Sequence, residues 1–175
     1  MAEPEYGPVP SEDAPGEGAP EGGAVVAWRL VKAEWAASAF SGEGARRGGG
    51  RWNSPGVPVV YLAGTLELAE LEVLVNLATP KLLGSYVAFR VTVPAGLVEA
   101  LPPGALPADW RRDPAPRSAK TVGDRWVAEG RSAVLRVPSA VVPSSANYLV
   151  NPAHPDAGRL GVEGPFDPAL DPRLQ

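Results

Sequence analysis

The stretch RRGGGRWNSPG at residues 46–56 is followed by VPVVYLA at 57–63 and TLELAELEVLVNLA at 65–78, and these three segments carry the clearest structural signals in the chain. Three adjacent glycines and a later Pro-Gly pair interrupt regular structure, so the first segment is predicted to be a loop. The β-branched content of the second segment predicts a short strand. Apolar residues at three- and four-residue spacings in the third predict a helix with Thr65 as its N-cap. A loop, a strand and a helix therefore follow one another at the centre of the chain.

Flanking segments add short strands and a further helix. Strands are predicted over residues 24–32, 86–93 and 132–137, and a helix over 121–129. The other predictions are a loop or short helix at 33–45, a proline-rich connection at 97–119, a continuation of the last strand at 140–142, and a mostly irregular end from 147 to 175 with one short strand near 160–162. Short strands mixed with two or three helices predict a compact α+β domain.

Composition excludes several classes of chemistry. Twenty-one prolines and twenty glycines argue against a helical bundle. The absence of cysteine excludes disulfides, thiol nucleophiles and thiolate metal sites, and the single histidine, His154, excludes multi-histidine ligation, so no metal is expected. No apolar run approaches the roughly 20 residues that span a bilayer, and the first residues lack the pattern of a secretory signal. We expect a soluble, cytoplasmic protein with no membrane contact.

Charge is unevenly distributed along the chain. Residues 1–24 hold six acids, five prolines and five glycines but no Lys or Arg. Such a stretch buries too little apolar surface to offset its chain entropy, so it is predicted to be a disordered acidic tail. Residues 25–175 form the predicted domain, whose 14 acids and 16 bases give a net charge of +2. Its bases are mostly arginine, which suits planar binding of phosphate or carboxylate, although a GC-rich coding bias gives the same composition.

Two segments contain charged residues in unusual settings. Arg51 and Trp52 stand directly between glycines and a turn, where the backbone can approach an anion closely; the alternative is an ordinary surface turn. In the predicted helix, Glu67 and Glu70 share one face and are expected to be solvated. Glu72 falls in the more apolar part of the helix. It is either a boundary residue or an acid buried in a pocket.

A third candidate is the segment VPSAVVPSSANYLVNPAHPD, at residues 137–156. Ser139 follows a proline at a predicted strand end, and His154 is the one imidazole that could activate it. A Ser–His hydrolase is therefore an open alternative. No nucleophile turn surrounds Ser139, and Asp156 is merely adjacent to His154, so this hydrolase is the weaker hypothesis.

Taken together, these segments resemble the RES domain, the toxin half of bacterial Xre–RES toxin–antitoxin pairs. The matching stretches are WRLVK, SGEGARRGGGRWNSPGVPVVYLAG, LAELEVLVNL, DWR, GRSAVLRVPSAVVPSSANYLVNPAHPD and the closing FDPALDPRL. They cover nearly all of residues 25–175, and their combination in this order is much more specific than any one piece. One departure is Asn76, which stands where the family commonly has a histidine.

The resemblance implies a fold similar to that of ADP-ribosyltransferases and an enzyme that cleaves NAD⁺ at the nicotinamide–ribose bond. NAD⁺ would be the substrate, and no resident cofactor is implied. Cleavage of this bond passes through an oxocarbenium-like transition state, as in glycoside hydrolysis. The resemblance assigns Glu72, at the LExL position, to stabilise the positive charge that develops on the ribose.

The resemblance also implies a set of residues that bind and position NAD⁺. Arg29 and Arg51 are expected to bind the pyrophosphate, and Tyr61 to pack against nicotinamide. Ser139, at the VPS position, is expected to hydrogen-bond the nicotinamide amide or the ribose. Arg51 and Ser139 also belong to the predicted catalytic set. Asn147 is included among the NAD⁺-binding residues, with a role in shaping its loop as the alternative.

A chain that depletes NAD⁺ would harm its own cell and inhibit growth. The resemblance therefore implies an Xre-type DNA-binding antitoxin that covers the active site. The chain itself has no helix-turn-helix signature, so direct nucleic-acid binding is not expected, and contacts between toxin copies in a larger complex stay open. Two other functions stay open: an ADP-ribosyltransferase that modifies a specific protein, and a non-catalytic binding module with the same fold. Retention of the matched residues argues against the binding module.

Overall fold

The computed structural model describes residues 6–10, 23–77 and 80–168 of the chain. Within them the strands are β1 (Ala24–Lys32), β2 (Val60–Ala63), β3 (Tyr86–Pro94), β4 (Val98–Ala100), β5 (Val134–Pro138), β6 (Ala146–Val150) and β7 (Gly161–Phe166). The helices are α1 (Glu43–Gly48), α2 (Leu66–Leu74) and α3 (Arg117–Glu129), with short 3-10 turns between elements. The strands form one sheet in the order β4-β5-β6-β2-β1-β3-β7, antiparallel except for the β4–β5 pair.

The sheet opens between its two central strands. β1 pairs with β2 at one position, Trp28 with Ala63, and otherwise follows β3, while β2 follows β6. The guanidinium of Arg29 lies at this opening, where Nη1 donates to the carbonyl of Tyr61 at 2.8 Å. A backbone carbonyl beside the opening is thus paired by a side chain instead of by a neighbouring strand.

One face of the sheet carries both α2 and α3. Successive strand residues point to opposite faces, so the cross-strand pairs Tyr61–Leu149 and Ala63–Asn147 lie on the same face. Two apolar clusters cover that face: one joins α2 to the sheet (Leu68, Ala69, Trp28, Leu30, Ala63), and one joins α3 and residues 52–59 to it (Trp52, Val59, Trp126, Leu135, Leu149). The end of β5, the start of β6 and α2 meet on this face.

Several sequence predictions are confirmed. The strands form one sheet and are combined with few helices, as expected for the α+β class. β1 has the predicted bounds. Thr65 caps α2, because its hydroxyl accepts a hydrogen bond from the backbone N–H of Leu68 at 3.2 Å.

The predicted helix at 65–78 is too long, since α2 ends at Leu74. Its end has a local cause in Asn76, whose side-chain Nδ2 donates to the carbonyl of Glu72 at 2.9 Å. The backbone N–H of Asn76 donates instead to Val73, which is the tighter pattern of a fraying helix end. Residues 78–79 lie outside the described part of the chain.

Other predictions were wrong at the boundaries of elements, and two strands were not predicted. The predicted loop at 46–56 begins inside α1, which is supported by an ion pair from Arg46 to Glu43 at 2.7 Å. Residues 57–59 are not part of β2, and α3 begins at residue 117 instead of 121. β4 lies within residues 97–119, which were predicted to be a proline-rich connection. β6 lies mostly within residues 147–175, which were predicted to be mostly irregular.

Residues 140–142 form a turn instead of continuing β5. The reason is the hydroxyl of Ser139, which accepts hydrogen bonds from the backbone N–H groups of Val141 at 3.1 Å and Val142 at 3.0 Å. These N–H groups are thereby removed from any strand ladder, and the chain reverses toward β6.

Part of the predicted tail contacts the sheet. Pro8 forms a parallel bridge with Asp167, and Tyr6 packs near Val31 and Phe89. Residues 1–5 and 11–22 of the predicted tail lie outside the described residues, and Ala24 already belongs to β1. Among the described residues, none of the helices combines the length and the apolar character that a bilayer crossing requires.

Candidate active site

A carboxylate on α2 is fixed by two side chains from the sheet. Glu72 Oε1 accepts a hydrogen bond from Ser139 Oγ at 2.7 Å and another from Asn147 Nδ2, also at 2.7 Å. Ser139 lies at the end of β5 and Asn147 on β6. Oε2 has no partner among the described residues. The cluster of Glu72, Ser139 and Asn147, called the carboxylate cluster below, thus has one fixed oxygen and one unengaged oxygen.

Ser139 is fully buried and has no hydrogen-bonding capacity left. A hydroxyl has one donor and two acceptor positions. The donor is directed at Glu72, and both acceptor positions are filled by the N–H groups of Val141 and Val142. In this structure the proton of Ser139 is donated to Glu72, and the contact with a substrate that the sequence predicted for Ser139 stays a prediction.

The loop at residues 49–57, called the glycine loop below, is tied together by Tyr61 and Asn53. The Tyr61 hydroxyl donates to Asn53 Oδ1 at 2.7 Å and accepts from the backbone N–H of Trp52 at 3.0 Å. Asn53 is fully buried, and its Nδ2 donates to the carbonyls of Ala45 and Val57. Burial raises the pKa of the Tyr61 hydroxyl above its ordinary value, so the hydroxyl keeps its proton. Side-chain hydrogen bonds therefore hold the loop to β2 and α1.

Arg51 fastens a second loop to the first. Its Nη1 donates to the carbonyls of Trp110 at 2.8 Å and Arg112 at 2.9 Å. The rings of Trp52 and Trp110 stack beside this contact, with centroids 5.8 Å apart and planes 22° apart. The segment at residues 110–112 is called the bridging segment below. Arg51 was expected to bind the pyrophosphate. In the structure its Nη1 donates both of its hydrogen bonds to backbone carbonyls.

The bridging segment also reaches the carboxylate cluster. Arg111 Nη2 donates to the carbonyl of Ala140, the residue after Ser139, at 3.3 Å. The glycine loop is therefore connected to the carboxylate cluster through Arg51, the bridging segment and Ala140. Sequence reasoning assigned no role to Arg111, although DWR was one of the stretches that matched the RES pattern.

Arg29 is a partly buried cation at the opening of the sheet. Its Nε donates to the carbonyl of Ala39 at 2.7 Å and its Nη1 to that of Tyr61. Burial lowers the pKa of Arg29 to about 10, which still leaves it charged at neutral pH. Nη2 has no partner among the described residues. One face of the guanidinium thus shapes the opening, and one N–H₂ group is left to bind an anion.

His154, which sequence reasoning considered as a base for Ser139, lies elsewhere. His154 caps its own 3-10 turn, because its Nδ1 accepts from the backbone N–H of Asp156 at 3.1 Å. It makes no contact with Ser139, so the Ser–His hydrolase alternative is wrong.

A cavity of about 250 Å³ lies beside Pro138 and Ala146, but none of the predicted site residues lines it.

The geometry constrains the free oxygen of Glu72. Two hydrogen bonds to Oε1 restrict the rotation of the carboxylate, and a carboxylate oxygen held in this way can stabilise positive charge nearby. Arg111 approaches this region at Ala140, and the ring of Tyr61 lies on the same face of the sheet as Asn147.

Comparison with known proteins places the chain in a family. The RES domain pattern matches residues 26–171, so the chain belongs to the RES domain family. It is similar to Toxin Res of Yersinia enterocolitica, with 36% identity over 152 residues that cover 86% of this chain and 100% of that protein. It is also similar to the Prs ADP-ribosylating toxin of a Sphingobium species, with 38% identity over 84% of this chain and 94% of that protein.

A solved structure has the same fold. The chain matches a protein in the crystal structure of the M. tuberculosis MbcT–MbcA toxin–antitoxin complex with a TM-score of 0.69. The two chains are 26% identical, and the match covers 86% of this chain and 88% of the other. The family resemblance seen in the sequence is confirmed by these findings.

Proposed function

We propose that this protein is the toxin of a toxin–antitoxin pair and cleaves NAD⁺ at the bond between nicotinamide and ribose. The observation that carries the proposal is the Glu72 carboxylate, which is fixed at Oε1 by two donors and unengaged at Oε2. Membership in the RES domain family and the names of the relatives support the toxin role.

The proposed reaction needs charge stabilisation more than proton transfer. The bond between C1′ and the ring nitrogen breaks, its electron pair goes to nicotinamide, and neutral nicotinamide leaves. Positive charge then develops at C1′ and the ring oxygen of the ribose. Glu72 Oε2 stabilises this charge from a fixed position. Water attacks C1′ and releases a proton, so the products are ADP-ribose, nicotinamide and one proton.

The surrounding residues have positioning roles in this proposal. Nη2 of Arg29 and the nitrogens of Arg51 that are not bonded to the bridging segment are available to the pyrophosphate. The ring of Tyr61 packs against nicotinamide, while its hydroxyl holds the glycine loop. Ser139 acts on the substrate through Glu72. NAD⁺ enters as substrate and is consumed.

An ADP-ribosyltransferase that uses the same site is the second candidate function. The Sphingobium relative is called an ADP-ribosylating toxin, and the same oxocarbenium-like centre would be attacked by a protein side chain instead of water. A non-catalytic binding module is the third hypothesis, and the intact carboxylate cluster argues against it.

An antitoxin is the proposed partner. The similar fold in the M. tuberculosis complex comes from a toxin bound to its antitoxin, and a chain that consumes NAD⁺ in its own cell requires neutralisation. We propose an Xre-type DNA-binding antitoxin and a cytoplasmic location, where NAD⁺ is available and where release of the toxin would inhibit growth.

The test is the fate of the ADP-ribose part of NAD⁺ labelled in its adenine. Purified protein is incubated with labelled NAD⁺ alone and with cell extract, and nicotinamide, free ADP-ribose and labelled protein are measured. The proposal predicts nicotinamide and free ADP-ribose without extract. Nicotinamide release that requires extract and labels a protein would establish the transferase instead. Intact NAD⁺ under both conditions would contradict both enzymes and favour the binding module.

A further inference from the structure

Asn147 holds a hydrogen-bond acceptor that nothing in the described chain satisfies. Its Nδ2 donates to Glu72 Oε1, but its Oδ1 is buried and has no partner among the described residues. A buried polar atom without a partner costs free energy, and most such atoms in folded proteins are paired. An orphan acceptor beside a candidate catalytic carboxylate therefore indicates a donor that arrives with the ligand.

The orientation of the Asn147 amide is fixed by chemistry. An ionised carboxylate only accepts hydrogen bonds, so the atom facing Glu72 Oε1 at 2.7 Å must be the amide nitrogen. Oδ1 consequently points away from Oε1. The residue opposite Asn147 on β2 is Ala63, whose methyl side chain offers no donor. Val137, opposite on β5, is apolar and offers no donor side chain.

Two unengaged oxygens flank this hydrogen bond. Glu72 Oε2 and Asn147 Oδ1 are each bonded, through one carbon, to an atom of the 2.7 Å contact. Both oxygens therefore lie beside this one contact, and the hydroxyl of Ser139 offers neither a donor, because it is saturated by Glu72, Val141 and Val142. The two oxygens, called the acceptor pair below, match in number the two hydroxyls on neighbouring carbons of a ribose.

We propose that this acceptor pair accepts hydrogen bonds from both hydroxyls of the nicotinamide ribose, with Asn147 Oδ1 accepting from the 3′-hydroxyl. The inference rests on the proposed function. A carboxylate that stabilises charge at C1′ lies nearest the 2′-hydroxyl, on the next carbon. The 3′-hydroxyl is then the neighbouring donor for Oδ1. Asn147 is in this way both a substrate-binding residue and a positioning residue for Glu72.

The test compares NAD⁺ with its analogue that lacks the 3′-hydroxyl of the nicotinamide ribose. We expect wild type to prefer NAD⁺ by at least about 10-fold in kcat/KM, because the analogue leaves Oδ1 unpaired. Asn147→Ala should be slower and should lose this preference. Asn147→Asp keeps an acceptor of the same size while placing a negative charge against Glu72, so it should be slower yet retain the preference. Asn76→Ala is the matched control, because Asn76 is exposed and contacts only the backbone carbonyl of Glu72.

A merely structural Asn147 would change rates and melting temperatures but not the preference between the two dinucleotides. A preference that persists in Asn147→Ala, or that is absent in wild type, would overturn the inference while leaving NAD⁺ cleavage standing. If wild type releases no nicotinamide, the proposed function fails, and the preference is measured by calorimetric binding of both dinucleotides instead. Tighter NAD⁺ binding that Asn147→Ala abolishes would then support the acceptor pair, and equal or absent binding would overturn it.

Discussion

The glycine loop and the carboxylate cluster both depend on dense hydrogen bonding, but the bonds are completed in different ways. In the glycine loop, Tyr61 and Asn53 satisfy each other and the nearby backbone, so the polar groups face inward. In the carboxylate cluster, Glu72 and Asn147 satisfy each other with one atom apiece and leave one oxygen each without a partner in the described chain. The first pattern builds a scaffold, and the second leaves capacity for a ligand.

This difference separates stability from activity. Substitutions of Glu72 and Asn147 should act mainly on turnover, because their unpaired oxygens lose no partner in the ligand-free fold, whereas the hydroxyl of Ser139 also supports the turn after β5. Substitutions in the glycine loop should act mainly on the free energy of unfolding, because they leave buried partners unpaired or overlapping. The following variants test that separation.

Ser139→Ala should reduce turnover most among the supporting residues. Glu72 loses one of its two orienting donors, and a misplaced catalytic group costs about 10- to 100-fold in rate. KM for NAD⁺ should change little, because the saturated hydroxyl has no contact left for the substrate. Ser144→Ala, an exposed serine in the same turn, is the control and should behave as wild type. A large rise in KM with kcat unchanged would show that Ser139 binds substrate directly.

Gly50→Ala should have a smaller effect, seen in stability. A Cβ at Gly50 would overlap the Tyr61 hydroxyl and lie 2.8 Å from Asn53 Oδ1. Such overpacking costs about 1–3 kcal/mol in the free energy of unfolding, which urea titration can measure. Gly48→Ala is the matched control, since nothing lies within 4 Å of a Cβ there and the residue is helical. Equal stability of the two variants would show that the loop is not held by Tyr61.

Local patterns predicted the elements whose signals are local. β1 is a largely apolar run that contains three valines, and Thr65 precedes a run with helical spacing, so both were predicted correctly. β6 was missed because ANYLV is short and sits among Ser, Asn and Pro; it becomes a strand by pairing with β2 and β5 on either side. Tertiary pairing of this kind leaves little trace in the sequence of one strand.

The structure brings together Glu72, Ser139 and Asn147, which the sequence selected, but their contacts with one another were not predicted. Glu72 was selected through the family resemblance, whereas its position in the helix left a boundary residue and a buried acid both open. Its partners Ser139 and Asn147 are 67 and 75 residues away, so their hydrogen bonds depend on how β5, β6 and α2 meet. The oddest stretch of the sequence, around Arg51, proved to hold a loop through backbone carbonyls, a role that no residue pattern signals.

In the proposed reaction Glu72 stabilises the charge that develops on the ribose, and the rest of its helix takes no part in this step. The most direct measurement is nicotinamide release from NAD⁺ by wild type, Glu72→Gln and Glu67→Gln, with melting temperatures recorded for all three. Glu72→Gln keeps the size of the side chain and an oxygen for Ser139, so it should fold normally yet lose at least about 100-fold in kcat. Glu67→Gln, exposed on the same helix, should match wild type. A folded Glu72→Gln that releases nicotinamide at the wild-type rate would contradict the account.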